Sequence, residues 1–343
     1  MVKAVAVDVE GDACVVRKPS EGNRLYSKGC YGIKEKEYLL NLVETCYLIE
    51  KGRVEARRKG KKINLEKFME YALEYIPDFE IKYLVYRDLR ERGYIVRMQE
   101  GGESFLLYER GKRPPAKPAF QVRAISERAT FRIADIEKNI EDAENKLILG
   151  VVDEEGDITY YIAKFFRMKG EMEERDYEGK IILLNDRCIT KDEGLREKLR
   201  EDFVGREIGE YTQLSLMEAA YLAEKGVKVT RRGRKMSMER FIKHARKIQP
   251  DIERRLLVYK EMRKMKLLPK TGFKFGSHFR VYEENPEKSH APYLVHVVDS
   301  SHESTWAEVS SAVRLAHSVK KEMIFAMVGG DKTKYIRLRR ITP

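Results

Sequence analysis

No stretch of this 343-residue sequence is apolar for long enough to cross a bilayer: its longest apolar run, Met323 to Val328, falls far short of the ~20 residues a membrane helix needs. No membrane partner is expected. The opening segment, Met1 to Val16, is broken by Asp8, Glu10 and Asp12 and has no basic stretch ahead of an apolar core, so it does not read as a secretion signal. These absences predict a soluble, cytoplasmic chain. Cysteine is scarce: Cys14, Cys30, Cys46 and Cys188 form no CxxC pair and have no histidine nearby at zinc spacing. Buried, idle thiols in a reducing compartment are expected, with no metal and no cofactor.

What is abundant is charge. Charged residues make up 36% of the chain against 42% hydrophobic, and the net charge is +12. Lysines and arginines that neutralise phosphates gain affinity by releasing counterions, so this excess points to a polyanionic partner. A mixed Lys/Glu surface of the kind found in proteins from hot environments explains the same composition, and charge alone does not separate the two. The length exceeds the ~100 to 200 residues of an ordinary domain, which predicts at least two domains.

An internal duplication organises the chain. With an offset of 174, residues 44–62 superpose on 218–236 with nine of nineteen positions identical, including Tyr47-Leu48 on Tyr221-Leu222 and Glu50-Lys51-Gly52 on Glu224-Lys225-Gly226. Unrelated sequences of ordinary composition would share roughly one position in such a window. With an offset of 173, Leu84 to Arg90 pairs with Leu257 to Arg263, and Phe120-Gln121-Val122 with Tyr293-Leu294-Val295. The polar segment Phe165 to Gly179 is the least repetitive, so the junction is expected there, with repeats over 1–172 and 173–343 and, in the second, domains of about 173–250 and 251–343.

Each repeat reads as short strands, two or three helices, then alternating strands and a further helix, which predicts a mixed α/β (α+β) fold in tandem. Ile252, Leu256, Tyr259 and Met262 recur at spacings of three and four after Pro250-Asp251, the pattern of an amphipathic helix. Strands are expected at Phe273-Lys274-Phe275, Phe279 to Tyr282, Tyr293 to Val298 and Met323 to Val328, the last a run typical of a strand buried on both faces. All six histidines (His244, His278, His290, His296, His302, His317) fall in the second repeat, so chemistry is expected on one side only of a duplicated scaffold.

Three segments of that repeat, Lys270-Thr271-Gly272-Phe273-Lys274-Phe275-Gly276 through Phe279-Arg280-Val281-Tyr282, then His290-Ala291-Pro292-Tyr293-Leu294-Val295-His296, then Val313-Arg314-Leu315-Ala316-His317-Ser318-Val319-Lys320-Lys321, resemble in order and spacing the signature blocks of tRNA-splicing endonucleases. The resemblance covers nearly the whole chain and is to the two-repeat archaeal type. It implies a small α/β N-terminal domain and a restriction-endonuclease-like C-terminal domain in each repeat. It also implies a homodimer acting on precursor tRNA at both splice sites of a bulge-helix-bulge motif, giving 2′,3′-cyclic phosphate and 5′-hydroxyl ends without metal. The family's catalytic tyrosine, histidine and lysine fall on Tyr282, His290 and Lys321, with Lys320 adjacent. In the first repeat Tyr108 matches Tyr282, but Lys117 and Asn145 stand at the other two positions, so that copy should be inert.

Those residue types suit the chemistry. Cleavage by the neighbouring 2′-hydroxyl needs a proton acceptor, a donor for the departing 5′-oxygen and positive charge beside the phosphorane. An imidazole titrates near neutrality and suits the donor, a lysine supplies the charge, and a phenol with pKa near ~10 either accepts the proton or orients the hydroxyl. The resemblance places one base-stacking arginine on Arg314 and the other on Arg340, with Arg339 and Arg337 as neighbours; guanidinium planes stack on any base. It further implies that the acidic turn Asp153, Glu154, Glu155, Gly156, Asp157 docks into a basic pocket of the partner subunit, whereas its counterpart, Gly329-Gly330-Asp331-Lys332, has lost most of that charge. Two other readings stand beside this one: a non-catalytic RNA-binding scaffold, and a metal-dependent restriction-type nuclease using Pro77-Asp78-Phe79-Glu80-Ile81-Lys82. The second is weakened by Pro250-Asp251-Ile252-Glu253-Arg254-Arg255, the equivalent stretch, which lacks the lysine; both stretches read as first turns of helices.

Overall fold

The computed structural model describes residues 4–173, 175–329 and 332–343. The chain forms two compact units: 4–164 with Glu303–Ser310 and Arg339–Pro343, and Phe165–His302 with Ser311–Leu338. Each carries the same architecture, a mixed α/β pair of domains repeated in tandem.

The first domain of each repeat is a six-stranded sheet with three helices, the middle one buried. In the first unit the strand order is Ile33–Lys34, Tyr38–Asn41, Ala13–Val16, Val5–Glu10, Val54–Arg58, Lys61–Lys62; in the second it is Arg206–Ile208, Tyr211–Ser215, Arg187–Thr190, Lys180–Leu183, Lys228–Arg231, Arg234–Lys235. The central pair is parallel in both, Val5 against Val54 and Lys180 against Lys228, which requires a crossover helix between them. Leu42–Glu50 and Leu216–Glu224 supply it. Their starts are set by polar caps at the ends of the preceding strands: Asn41 accepts the Glu44 N–H, while Ser215 and Glu218 form a reciprocal capping box. The basic segments Arg57–Lys62 and Arg231–Lys235 form the exposed tips of the last hairpins.

The second domain packs a long helix against a second sheet. Ile252–Lys264 buries Ile252, Leu256, Tyr259 and Met262, the face its spacing predicts. The sheet of that repeat runs Leu268–Thr271, Phe279–Tyr282, Tyr293–Asp299, Glu322–Val328, Lys334–Ile341, and the first repeat has Val96–Met98, Phe105–Leu107, Phe120–Ser126, Leu147–Val152, Ile158–Phe165 in the same order. Glu322–Val328 lies between a parallel and an antiparallel neighbour and is almost wholly buried, as a continuous apolar run requires. One continuous core per repeat joins its two domains, Val5, Leu48, Phe79, Phe105 and Ile148 in one and Ile181, Leu222, Ile252, Val281 and Ile324 in the other.

Two features depart from the sequence pattern. Phe273-Lys274-Phe275 is a single turn of 3-10 helix, closed by the Phe275 N–H on the Gly272 carbonyl and ended by Gly276 at φ 62°. The flanking glycines turn the chain there, and the strand lies earlier, at Leu268–Thr271. Glu303–Ser310 groups with the first unit because Glu303–Thr305 pairs with Thr130–Arg132, and Trp306 packs edge-on to Phe131 at 5.2 Å and beside Tyr161 at 6.5 Å. All four cysteines are buried and free; burial pushes the Cys14, Cys46 and Cys188 thiols up to about 12. Among the described residues no helix is long and apolar enough to cross a membrane.

Candidate active site

The hairpin Leu268–Thr271/Phe279–Tyr282 sets the first side of the site. Its register pairs Leu268 with Tyr282 and Lys270 with Arg280. Successive side chains on a strand alternate in direction, so Phe279 and Val281 enter the core while Arg280 and Tyr282 share the opposite, half-buried face. The Arg280 guanidinium lies over the Tyr282 ring, 5.7 Å from its centre.

After Tyr282 the chain runs through a loop ordered by Asn285, whose side chain accepts the Glu287 N–H at 2.8 Å, and by Glu283, which accepts the Tyr293 hydroxyl at 2.7 Å. His290 is exposed at the end of that loop, and Ala291 is buried.

Lys321 enters from the other side. The helix Trp306–Ser318 ends with Lys320 at φ 56° and the Lys321 N–H on the Ala316 carbonyl at 2.8 Å, a wide closing turn that reverses the chain. Lys320 is left exposed. Lys321 points inward: its Nζ donates to the Ala291 carbonyl at 2.6 Å and lies 5.7 Å from the Phe275 ring. The next residue, Glu322, donates its N–H to the Pro292 carbonyl at 2.8 Å, so parallel strand pairing brings residue 321 beside the residue that follows His290. Burial, and then the Arg280 charge, push the Lys321 ammonium below its usual value.

The structure thus brings the segments of Tyr282, His290 and Lys321 to one place, with Arg280 as a fourth member. The signal for Arg280 was present in the sequence as period-two spacing from Tyr282. The other predicted residues make separate contacts. Arg314 is exposed on its helix and reaches Ser311 at 3.5 Å. Arg340 lines a cavity of about 370 Å³ in the first unit with Arg87, Arg92, Asp153 and Asp157. Of the neighbouring arginines, Arg339 is exposed, while Arg337 is held by Glu322 at 2.8 Å and stacks 4.4 Å from Phe166.

The acidic turn joins Leu147–Val152 to Ile158–Phe165, and Asp153, Glu154, Glu155 and Asp157 are all exposed. The Asp153 carboxylate accepts the Glu155 and Asp157 N–H groups at 3.0 and 2.9 Å, and Glu154 pairs with Arg128. Of its counterpart in the second repeat, Gly330 and Asp331 lie outside the described residues.

Three of the remaining histidines pack near one another. His278 and His296 stack at 4.4 Å, with His302 6.3 Å beyond His296. Burial, then the neighbouring imidazole, pushes His278 down to about 3 and His296 below its usual value.

The first repeat keeps the frame and loses the groups. Its register pairs Arg97 with Leu106 where the second pairs Lys270 with Arg280, and its helix Ile133–Asp142 closes with the Asn145 N–H on the Ile140 carbonyl at 2.8 Å, matching Lys321 on Ala316. Tyr108 is buried, and Lys117 and Asn145 are exposed.

Comparison with known proteins accords with this duplication. The model of the tRNA intron endonuclease N-terminal domain matches residues 5–69 and 179–242, and that of the catalytic C-terminal domain matches 79–160 and 252–337. A tRNA-splicing endonuclease of Methanococcoides burtonii is 40% identical over 336 residues, covering 93% of this chain and 95% of that protein. Those of Methanosarcina mazei and Natronomonas pharaonis are 37% and 34% identical, each covering 97% of this chain and 98% of the relative. With both domain models matched twice and relatives aligned almost end to end, this chain belongs to the tRNA intron endonuclease family.

Proposed function

We propose that the chain is an endoribonuclease that removes introns from precursor tRNA, cutting both exon junctions of a bulge-helix-bulge RNA as a homodimer with one active site per subunit. The observation that carries this reading is the Lys321 ammonium seated on the Ala291 carbonyl, next in chain to His290 and beside the Arg280/Tyr282 face, in one repeat of two that otherwise share their strand order and register.

In this scheme the 2′-hydroxyl attacks the adjacent phosphorus while the bond from phosphorus to the 5′-oxygen breaks. Tyr282 accepts or orients the 2′-hydroxyl proton, His290 gives a proton to the departing oxygen, and Lys321 faces the charge that builds on the phosphorane. The products are a 2′,3′-cyclic phosphate and a 5′-hydroxyl. All three roles are acid-base or electrostatic, so no metal ion is required. The depressed ammonium of Lys321 fits a sheltered place beside a second cation, where an anion is attracted strongly. Arg314 and Arg340 are the proposed stacking partners of a bulge base, and the acidic turn is the proposed dimer contact.

A gel of bulge-helix-bulge RNA incubated with the purified protein tests the reading. Two cuts with cyclic phosphate ends, unchanged in EDTA, are expected. No cleavage would favour the non-catalytic scaffold, and cleavage abolished by EDTA and restored by Mg²⁺ would overturn the metal-free scheme.

A further inference from the structure

We infer that Arg280 is a phosphate-binding residue of the site, a second cation that holds the non-bridging oxygens of the scissile phosphodiester together with Lys321. The inference rests on the functional reading above.

The geometry first separates Arg280 from three part-buried arginines of its unit that are neutralised by carboxylates. Arg254 pairs with Asp299, Arg255 with Asp251 at 2.7 Å and Arg337 with Glu322 at 2.8 Å. Arg280 has no acidic partner among the described residues; its contact is the Tyr282 ring face, 5.7 Å away. Its Nε is shielded from solvent and makes no hydrogen bond. A sheltered guanidinium N–H without an acceptor is unfavourable, and a ligand can supply the acceptor. The Nε of Arg196, Arg263 and Arg337 in the same unit shares this feature, but Arg196 and Arg337 are each neutralised by a glutamate, and Arg280 is the one that lies by Tyr282 and Lys321. The shape of the group narrows that ligand, because adjacent N–H donors in a planar fork match two oxygens of one phosphate.

Its surroundings point the same way. Lys321 is near enough for the Arg280 charge to be felt at its ammonium. Two cations that repel each other, with no carboxylate interposed, leave an electropositive place best occupied by an anion. Lys270, directly across the hairpin from Arg280, does not fill it, since its Nζ is turned to the Phe203 and Gly205 carbonyls and to Glu218.

The duplication supplies an independent comparison. In the first repeat the position of Arg280 is Leu106, fixed by the register of Arg97 with Leu106 and of Phe105 with Val122. Tyr108 remains there as a buried ring, so the tyrosine is compatible with packing alone, whereas the cation disappears together with the counterparts of His290 and Lys321. A guanidinium needed only to support a tyrosine would have been kept with it.

The test is single-turnover cleavage of bulge-helix-bulge RNA by the full chain carrying Arg280→Ala, Arg280→Lys or Arg280→Gln, with wild type and Lys321→Ala in the same series. Substrates have either oxygen or sulfur at one non-bridging position of the scissile phosphate, each diastereomer separately. Arg280→Ala is expected to lower the rate at saturating enzyme about a hundredfold while the half-saturating concentration moves less than about threefold, the split for a contact that strengthens in the transition state. Arg280→Lys should recover part of the rate, Arg280→Gln none, and the sulfur penalty at one diastereomer should shrink in Arg280→Ala. Three results would overturn the inference: an Arg280→Ala rate within about threefold of wild type, a sulfur penalty identical in the two proteins, or equal losses for Ala and Lys with a matching loss of thermal stability. A wild type that does not cut overturns the functional reading and this inference with it; a wild type that cuts while Arg280→Ala cuts equally well overturns this inference alone.

Discussion

Glu44 and Glu218 occupy matching places on matching helices, both buried, each accepting a backbone N–H at 3.0 Å from a glycine just ahead of an edge strand of the N-terminal sheet, Gly32 in one repeat and Gly205 in the other. Their charge is handled differently. Burial alone would raise Glu218, but Lys270 at 3.2 Å and the Ser215 and Gly205 N–H groups more than offset it and hold the carboxyl below its usual value. Glu44 has Arg90 at 3.7 Å, with Arg97 at the position of Lys270 making no direct bond, and burial pushes it up to about 7. Lys270 is cross-strand to Arg280, so the hairpin that carries the candidate site also anchors the N-terminal domain of its own repeat. The repeat with the full set of candidate catalytic groups pairs its buried glutamate with a lysine of the site hairpin, and the repeat without them pairs it, at a longer distance, with an arginine of the helix Phe79–Glu91.

The acidic turn gives the largest contrast between repeats. Because the Asp153 carboxylate organises the turn itself, charge reversal belongs at its other acids. Glu155→Lys with Asp157→Lys is expected to cost roughly several kcal/mol at a docked, oppositely charged pocket. The variant should elute as a monomer under light scattering and lose cleavage, and a fully active dimer would remove the turn from the interface. Next come the chemical groups. His290→Ala and Lys321→Ala should each slow single-turnover cleavage about a hundredfold or more with RNA binding retained, whereas Lys117→Ala and Asn145→Ala, at the equivalent places, should change it by less than about twofold. Equal losses in both repeats would mean that the first copy is not inert.

The buried carboxylates come third. Lys270→Met strands Glu218 and should destabilise the second unit by roughly 3 kcal/mol, with Lys270→Met/Glu218→Gln recovering part of it, while Arg97→Met should cost the first unit less than about 1 kcal/mol. Denaturant titration with amide exchange resolved by unit measures both.

The smallest effect is a pH dependence of opposite sign in the two units. Glu44, raised from 4.5 to about 7, costs the first unit stability progressively as pH rises through that window, because the unfolded carboxyl ionises first. His278, lowered from 6.5 to about 3, has the reverse effect: its contribution is intact above about 6.5 and is lost as pH falls, because the unfolded imidazole protonates first. Going from pH 7 to 5, the first unit should gain and the second lose about 2 kcal/mol each from these groups. Glu44→Gln and His278→Phe should flatten the respective slopes in exchange rates measured by unit, and parallel slopes in the two units would contradict the comparison.

Much of this was legible in the chain itself. The duplication, the helix Ile252–Lys264 and the buried strand Glu322–Val328 follow from local repetition and periodicity, which depend on residues close in sequence, whereas the three blocks carrying Tyr282, His290 and Lys321 were legible through their resemblance to the family's signature blocks. Periodicity failed at Phe273-Lys274-Phe275, where alternation of aromatic and charged residues looked like a strand and the glycines on either side turned it into a 3-10 helix. It also says nothing of which unit holds Glu303–Ser310, because that depends on Trp306 meeting Phe131 and Tyr161, residues far away in the chain.

By itself, then, the sequence determined that the fold is built twice and that only the second copy carries the Tyr/His/Lys set, since identity and spacing are properties of the linear chain. Tertiary structure decided which of two adjacent lysines turns inward and that Arg280, with no acidic partner among the described residues, lies beside Tyr282. It also decided that one buried glutamate meets a lysine at 3.2 Å while its twin meets an arginine at 3.7 Å. Those outcomes rest on strand register and on the helix-closing turn at Lys320, which bring together atoms that no linear spacing relates.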